Sequence, residues 1–535
     1  MRRLIEAEHA KEILNEVRID YDTVRLPVHQ AVGMVLAENV FSPINIPPFR
    51  RSTRDGFALI SEDVTTADER NPARLEIAGK IEAGEYRSVR VDHGMAVEVA
   101  TGAVMPENAD SVVMVENTSV RDGFVYVKKA VSPGENVMEE GSDVAVGEIL
   151  AKEGNILDTL KTGLLAGAGI NEVRVKEMRV GILSTGNELL MPGDRIEPGR
   201  IYDVNSFTLY SELKKFGATP VLLGIARDDE DEMLAKLEKG LSECHAVITS
   251  GSTSAGKGDI LYRIVESEGE MVFHGVRVKP GKPFFFGIIN EKPVFGLPGF
   301  PTSCLTIFME FVADVIARNL GYRLEKRKAR GRLAKRIFSE GRRELMPVAV
   351  VRDRVFPVEK GSGAITSLSE ASGYIEIEEG EEIVERGVER EVTLFGKTYD
   401  IAVGGLDIHE LVEWNADVKR LTADPDLARL EFMSGNLDAV FYPDETFSIP
   451  YGFYGKKGRT GAVKGYGIQA DVYAKSHIHL LGMLRIGVVD GIYVLEPFGE
   501  RLGIETEVED EVGVGFDSAE HLKESIEGYL KRFKK

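Results

Sequence analysis

Three short segments in the middle third of the chain are rich in glycine, hydroxyl and proline residues, and each follows an apolar run typical of a buried strand. They cover residues 184–188, 249–259 and 296–303. Their glycines leave backbone N–H groups accessible, and the second and third segments open helical patterns, whose N-termini attract negative charge. Because open α/β sheets bind ligands at the carboxyl ends of parallel strands, the segments together predict an anion site. Its candidate binding residues are Ser184, Thr185, Gly186, Ser250, Gly251, Pro298 and Gly299.

Carboxylates stand beside these segments, at Glu188, Asp228, Asp229 and Asp259. They would repel a phosphate unless a divalent cation bridged the two, and hard oxygen ligands of this kind suit magnesium. Lys279 and Lys282 add positive charge on a proline-stiffened turn, Lys-Pro-Gly-Lys-Pro, just before the apolar run at 283–289. Any one of these residues alone is more often a solvated surface charge or a turn residue, so the hypothesis rests on their joint placement.

The segment from Gly251 to Lys257 also matches the phosphate-loop spacing G-x-x-x-x-G-K. A nucleoside triphosphatase needs Ser or Thr at the next position to hold magnesium, and this chain has Gly258 there. A phosphate-loop enzyme is therefore the weaker alternative.

Strand and helix patterns alternate between residues 178 and 320, which predicts a mostly parallel sheet covered by helices on both faces. Before this region, apolar positions at Leu4, Ala7, Ala10 and Leu14 predict one helix, and residues 28–35 predict a second. Residues 45–148 and 325–393 consist of short β-branched runs separated by Gly, Pro and Asp, which is typical of small β domains. The segment 394–535 mixes strands with helices and ends in a helical pattern at 520–535.

Composition narrows the class of protein. A chain of 535 residues is too long to fold around one hydrophobic core, so we expect several domains. It includes no unbroken apolar run of about 18 residues, so we expect a cytoplasmic protein without a membrane span. The net charge of −21 disfavours nucleic acid as a partner. The two cysteines, Cys244 and Cys304, cannot form a disulfide framework or a four-ligand zinc site, and we expect both to be buried thiols.

An ordered series of motifs over residues 1–395 resembles that of the molybdopterin molybdenumtransferases, the family that includes the C-terminal domain of gephyrin. The matching residues are Pro48-Phe49 with Ser52, Asp55-Gly56-Phe57-Ala58, Thr101-Gly102-Ala103 with Pro106, Ala109 and Asp110, Gly141-Ser142-Asp143, Ser184-Thr185-Gly186, Ser250-Gly251, Asp259, Lys279-Pro280-Gly281-Lys282-Pro283, Gly296-Leu297-Pro298-Gly299, Gly341-Arg342-Arg343-Glu344 and Gly361-Ser362.

The resemblance implies a multidomain α/β and β fold whose central three-layer α/β/α domain binds molybdopterin on a mostly parallel sheet. The expected divisions are 1–45 with 144–176 as a scaffold domain, 46–143 as a β domain, 177–322 as the α/β domain, 323–393 as a β-barrel-like domain and 394–535 as a C-terminal α/β domain.

The resemblance also implies an elongated homodimer with shared active sites. Asp55, Thr101 and Asp143 would come from the β domain of the second subunit and act in catalysis with Glu188, Asp228 and Asp259. Those three acidic residues would also hold magnesium. Lys279, Lys282, Arg342 and Ser367 would bind substrate, the last two from the fourth domain.

The implied activity is magnesium-dependent insertion of molybdate or tungstate into adenylylated molybdopterin with release of AMP. Partner enzymes would be an upstream adenylyltransferase and downstream molybdo- or tungstoenzymes. A molybdopterin adenylyltransferase-like enzyme and a non-catalytic pterin-binding scaffold are the alternatives. The chain departs from the family pattern at three positions: Asn187 where Asp is frequent, Ser252 where a second glycine is usual, and Phe300 where Asn is common.

The last segment resembles the solute-binding-like domain appended to some archaeal members, through residues 430–440 and 463–469. Lys456, Lys457, Arg459 and Lys464 lie among glycines, where they could cradle an oxyanion or form a solvated loop. His477 and His479 alternate as on one face of a strand, and a surface pair is the favoured interpretation.

Overall fold

A computed structural model describes residues 4–251, 260–358, 363 and 365–399, together with the backbone of eight strands between 401 and 509. Within that part of the chain, no helix combines the length and the apolar character needed to cross a membrane. Cys244 and Cys304 are buried free thiols, as predicted.

The N-terminal third forms two units built mainly of short strands. A three-stranded sheet has the order β1-β13-β2, and a six-stranded sheet has the order β8-β5-β7-β6-β10-β9. The elements are α1 Ala7–Glu16, β1 Asp22–Pro27, β2 Val35–Leu36, β3 Val40–Phe41, β4 Arg51–Ser52, β5 Gly56–Leu59, β6 Ala73–Ile81, β7 Met95–Val99, β8 Ser111–Met114, β9 Thr118–Arg121, β10 Phe124–Val127, β11 Val137–Met138, β12 Ile149–Ala151, α2 Thr159–Gly167 and β13 Glu172–Glu177.

The first predicted helix is confirmed, because α1 buries Ala7, Ala10 and Leu14 along one face. The second is wrong. Residues 28–34 are turns between β1 and β2, and Gly33 has φ of +86°, a backbone conformation that interrupts a helix. The buried apolar residues there belong to successive turns, and their spacing along the chain resembles that of one helix face.

The central unit is a six-stranded sheet with helices on both faces, which confirms the predicted α/β fold. Its order is β17-β14-β18-β21-β20-β19, in which the first four strands are parallel and β20 is antiparallel to both of its neighbours. The elements are β14 Arg179–Thr185, β15 Leu189–Leu190, β16 Ile201–Tyr202, α3 Asn205–Lys215, β17 Thr219–Ala226, α4 Glu230–Glu243, β18 Ala246–Gly251, α5 Ile260–Glu268, β19 Glu270–His274, β20 Phe285–Ile289, β21 Lys292–Leu297, α6 Pro301–Ile307, a π-helical turn Phe308–Val312 and α7 Ala313–Leu320.

Neighbouring residues of β14 serve opposite faces of this sheet. Ile182 belongs to the core that contains Leu209 of α3, whereas Leu183 belongs to the core that contains Leu237 of α4. This alternation is the normal consequence of strand geometry, and it allows helices to pack on both faces of the sheet.

The following unit is a closed barrel with the order β22-β25-β24-β26-β28. The side chains of Leu345 and Tyr374, which belong to barrel strands, pack in the hydrophobic core of the central unit, so the two units are in contact. The elements are β22 Lys328–Leu333, β23 Ile337–Phe338, β24 Glu344–Val351, β25 Arg354–Pro357, α8 Thr366–Glu370, β26 Gly373–Ile377, β27 Ile383–Val384 and β28 Glu389–Leu394.

The C-terminal strands form one eight-stranded mixed sheet, with the order β30-β29-β31-β33-β32-β36-β35-β34. They are β29 Ile401–Gly405, β30 Val418–Thr422, β31 Ala439–Pro443, β32 Thr460–Gly465, β33 Ile468–Ala474, β34 Arg485–Val489, β35 Ile492–Glu496 and β36 Glu505–Glu509. The helix predicted at 520–535 lies outside the described residues, as do Lys456, Lys457, Arg459, His477 and His479.

Candidate active site

A cavity of about 770 Å³ opens at the carboxyl edge of the central sheet, between that sheet and the barrel unit. Its walls include most of the residues that the sequence predicts to bind substrate. These are Thr185, Ser250, Gly251, Lys279, Lys282, Pro298, Gly299 and Arg342, and Glu188, a predicted magnesium ligand, lines the same cavity. Its volume lies in the range usual for sites that bind small molecules.

Two glycines at the strand ends leave no room for a side chain. Gly251 has φ of +113°, and a Cβ there would be 2.0 Å from the carbonyl oxygen of Thr185. Gly186 has φ of +150°, and a Cβ there would be 2.6 Å from a carboxylate oxygen of Glu188. A larger residue at position 251 would push the ends of β14 and β18 apart, whereas one at position 186 would displace the carboxylate of Glu188. Ser184 does not line the cavity; its buried hydroxyl lies 2.8 Å from that of Ser206.

The lysine turn is fixed by the barrel unit. The backbone N–H of Lys279 donates to the carbonyl of Arg343 at 2.9 Å, and its own carbonyl accepts from the N–H of Leu345 at 2.8 Å. The Lys279 ammonium lies 3.2 Å from the carboxylate of Glu344 and 3.7 Å from that of Glu340. Its charge is therefore already balanced in part, whereas Lys282 is exposed at the same turn.

Sequence reasoning missed two polar residues that build the floor of the cavity. The side-chain amide of Asn205 donates to the hydroxyl of Ser250 at 2.9 Å and to the carbonyl of Gly299 at 2.8 Å. One oxygen of Asp203 accepts from the N–H of Ser206 at 3.1 Å, at the start of α3. The Asp-x-x-Ser spacing before an apolar helix is a capping signal that could have placed Asp203 at this edge.

The charged side chains of the wall are nearly balanced. Arg277, Lys279, Lys282 and Arg342 face Glu188, Asp203 and Glu340. A chain with a net charge of −21 thus has a local site that is not acidic. An anionic ligand can be held there by direct charge pairing and by backbone dipoles.

Three predicted catalytic residues lie in the β unit and do not line this cavity. Asp55 and Thr101 are brought together, because the Thr101 N–H donates to the Asp55 carboxylate at 2.7 Å. That hydrogen bond lowers the pKa of the exposed Asp55 carboxyl below its usual value. The exposed Asp143 lies in a neighbouring turn, where its N–H donates to the carbonyl of Ile46 at 3.0 Å. A Cβ on Gly56 would lie 1.9 Å from the Val113 carbonyl, so this close approach requires glycine after Asp55.

The remaining predicted residues have mixed positions. Asp228 is exposed at the end of β17, and its N–H donates to the side-chain oxygen of Asn187 at 3.1 Å. Ser367 is buried in α8 and does not line the cavity. Among the described residues, no three His, Cys, Asp or Glu side chains are grouped closely enough to hold a metal ion. Asp259 lies outside those residues, so the predicted set with Glu188 stays a prediction.

Comparison with known proteins decides the family. Models described as "MoeA N-terminal region (domain I and II)", "Probable molybdopterin binding domain" and "MoeA C-terminal region (domain IV)" match residues 5–169, 181–318 and 330–395. A molybdopterin biosynthesis protein of Methanocaldococcus jannaschii is 34% identical over 72% of this chain and 97% of its own length. The chain belongs to the MoeA family of molybdopterin molybdenumtransferases.

Further members of the MoeA family agree. The molybdopterin molybdenumtransferase of Haemophilus influenzae is 34% identical over 59% of this chain and 78% of its own length. The crystal structure of a MoeA protein from Pyrococcus horikoshii is 38% identical, with a TM-score of 0.65 over 74% of this chain and all of that one. The resemblance predicted from motifs is thus confirmed at the level of the family and of its transferase class.

The last of the three family models ends at residue 395. The solute-binding-like character of residues 394–535 therefore stays a prediction. Of the three departures, Asn187 still presents a side-chain oxygen, which accepts from the Asp228 N–H. Ser252 lies outside the described residues. Phe300 lines the cavity with 62% of its surface exposed.

Proposed function

We propose that this protein catalyses insertion of molybdate, or of tungstate, into adenylylated molybdopterin with release of AMP, and that the reaction depends on magnesium. The observation that carries the proposal is the cavity in which Lys279, Lys282 and Arg342 meet the Ser250-Gly251 strand end. This combination suits a ligand with a phosphate group next to an oxyanion. The bacterial relatives named molybdopterin molybdenumtransferase support the same reaction.

The protein's contribution is to bring two anions together and neutralise their charge. Lys282 and Arg342 are exposed at the cavity wall, where each can pair with a phosphate or oxyanion oxygen. Lys279 is held between Glu340 and Glu344, so its ammonium has a fixed position before substrate arrives. Such pre-organised charge is the main way in which enzymes stabilise developing negative charge.

Asp55 is the proposed group that orients water for cleavage of the phosphoanhydride. The Thr101 N–H lowers the pKa of the Asp55 carboxyl, so the group is ionised at neutral pH and accepts a proton rather than donating one. Within one chain the β unit does not line the cavity, so this assignment requires Asp55 to reach the cavity of another subunit. We therefore propose a homodimer in which Asp55, Thr101 and Asp143 complete the cavity of the second subunit.

Glu188 and Asp228 are the proposed magnesium ligands, together with Asp259. Both described carboxylates are exposed, and they follow the adjacent parallel strands β14 and β17. Carboxylate oxygens are the donors that magnesium prefers, so the residues fit the ion. When bound, magnesium would neutralise phosphate charge that these carboxylates would otherwise repel. An adenylylating enzyme must supply the substrate, and molybdo- or tungstoenzymes would receive the product.

The test is incubation with adenylylated molybdopterin, magnesium and molybdate or tungstate, with AMP release as the readout. Asp55→Ala, Asp228→Ala and Asp259→Ala should each fold and lose about 10²-fold or more in rate, because each removes an electrostatic contact at the reacting groups. Asp231→Ala, an exposed aspartate in the first turn of α4, is the matched control and should keep the wild-type rate. Wild-type AMP release in all three site variants would contradict the assignment. No release by the wild type would contradict the proposed reaction.

A further inference from the structure

The aromatic ring of Phe300 is presented to the cavity by a rigid backbone. Phe300 precedes α6, and its carbonyl accepts the first helical hydrogen bond, from the N–H of Cys304 at 2.8 Å. Pro301 follows it, and the carbonyl of Gly299 before it is held by Asn205. Despite this fixed position, 62% of the phenylalanine surface is exposed. An exposed aromatic residue on a rigid cavity wall presents apolar area that a ligand can cover.

Apolar residues share the cavity wall with this ring. Gly363 lies against it, since a Cβ on Gly363 would be 3.4 Å from two ring carbons of Phe300. Ile365, Pro298 and Pro301 line the same cavity. An oxyanion gains nothing from such a wall, because it would lose its hydration without hydrogen bonds in return. This part of the cavity suits a flat apolar face.

Hydrogen-bond acceptors without a partner lie in the same cavity. Among the described residues, one oxygen of Asp203 and the side-chain oxygen of Asn205 are buried and accept no hydrogen bond. These residues are only 4% and 7% exposed, and both line the cavity. Buried acceptors are normally paired, so two such oxygens in one cavity wall indicate N–H donors from a ligand. A carboxylate or amide oxygen at the edge of a flat ring is the usual partner of a ring N–H or amino group.

We propose that Phe300 is a specificity-determining residue that stacks on a planar, N–H-bearing heterocycle of the substrate, while Asp203 and Asn205 accept its N–H groups. This inference rests on the proposed function, whose substrate carries two such rings, the pterin and the adenine. Aromatic stacking on a base contributes about 1–3 kcal/mol, which corresponds to about 5- to 150-fold in affinity. Phe300 therefore gives this chain a contact that the asparagine common in the family cannot make.

The experiment measures binding without turnover, by calorimetry of the full-length protein with AMP and, separately, with molybdopterin. Phe300→Leu keeps an apolar side chain but removes the ring, and we expect it to weaken one of the two ligands about tenfold. Phe300→Trp keeps an aromatic face and should stay within about threefold of the wild type. Weaker AMP binding identifies adenine as the stacked ring, and weaker molybdopterin binding identifies the pterin. Molybdate binding should be unchanged in both variants.

Asp203→Asn provides a second, independent variant, because it keeps the shape of the side chain while replacing an acceptor oxygen by a donor group. It should weaken the same ligand as Phe300→Leu. Equal binding of both ligands to Phe300→Leu and wild type, or equal losses in Phe300→Leu and Phe300→Trp, would overturn the stacking role. If the wild type releases no AMP in turnover but Phe300→Leu still loses affinity, the proposed reaction fails while stacking stands. If turnover occurs and the affinities are unchanged, stacking alone fails.

Discussion

Replacing Asn205 by alanine should loosen the floor of the cavity and reduce both stability and AMP release. The Asn205 amide joins two strand ends, through the Ser250 hydroxyl at 2.9 Å and the Gly299 carbonyl at 2.8 Å. Gly299 is followed by Phe300 and the start of α6. Loss of both hydrogen bonds therefore frees the loop that carries several wall residues.

The magnitude follows from the burial of the two partners. Each hydrogen bond contributes about 1 kcal/mol net, and a partner left buried without a bond adds a desolvation cost. Ser250 is buried and would bear that cost, whereas Gly299 is exposed and can bind water instead. Removal of the unpartnered Asn205 oxygen offsets part of the loss. The expected destabilisation is about 2–3 kcal/mol, or roughly 4–12 °C in the Tm of a domain of this size.

The effect on AMP release should exceed what lost stability alone would cause at a temperature where the variant is folded. A displacement of about 1 Å in a reacting group can cost about 10²-fold in rate, so we expect a 10- to 100-fold decrease. Thermal unfolding and AMP release are measured on the same preparations. Asn205→Asp keeps the volume but replaces the donor by an oxygen, so it should behave like the alanine variant.

Ser206→Ala is the matched control. Its hydroxyl is equally buried and lies 2.8 Å from that of Ser184, yet neither residue lines the cavity. The control should lose about 1 kcal/mol and keep AMP release within about twofold. The reasoning is refuted if Asn205→Ala unfolds and turns over like the wild type, or if Ser206→Ala loses as much activity as Asn205→Ala.

Four further outcomes are expected. Mixing inactive Asp55→Ala and Asp259→Ala subunits should restore about a quarter to a half of the AMP release if sites are shared, and no recovery despite subunit exchange would indicate sites within one chain. Gly251→Ala should destabilise the central unit by more than about 3 kcal/mol in urea unfolding, since its φ of +113° and a carbonyl oxygen 2.0 Å from the added Cβ both oppose it. The hydrogen bond from Arg343 lowers the pKa of Glu8 from 4.5, so this pair stabilises the folded state above that pH and less below it. The Tm of Glu8→Gln should therefore fall less on acidification than the Tm of the wild type. A chain ending near residue 393 should keep AMP release at saturating molybdate and fall behind only when the oxyanion is scarce, and unchanged dependence on its concentration would argue against oxyanion capture by the C-terminal segment.

The central unit could be predicted because its elements are long and their patterns are local. In α3, Leu209 and Leu213 are four residues apart and both are buried, which is the spacing of one helix face. The error at residues 28–35 has the same origin, since apolar residues three apart also occur in packed turns. Only Gly33 indicates that the helix is interrupted, and a single glycine is also compatible with a short helix.

The candidate site was predictable only where a single segment carries the signal. Ser250, Gly251 and Lys279 belong to segments whose composition already indicates a ligand. The role of Asn205 depends on Gly299, 94 residues further along the chain, and nothing local indicates that contact. Glu340 likewise reaches the cavity because β24 fixes the lysine turn through backbone hydrogen bonds.

The two halves of the cavity are positioned by different kinds of structure. The strand-end half is part of one parallel sheet, so its geometry follows from the sheet. The cationic half is assembled at a seam, where Arg277 donates its N–H to the carbonyl of Ile5 at 2.8 Å and Arg343 pairs with Glu8 of α1 at 2.5 Å. Because Lys279 bonds to Arg343 through its backbone, the N-terminal helix, the central sheet and the barrel jointly set its position. Substitutions at Arg343 or Glu8, which do not line the cavity, should therefore act on anion binding without any contact to the ligand, whereas substitutions at strand ends should act through the fold of the central unit.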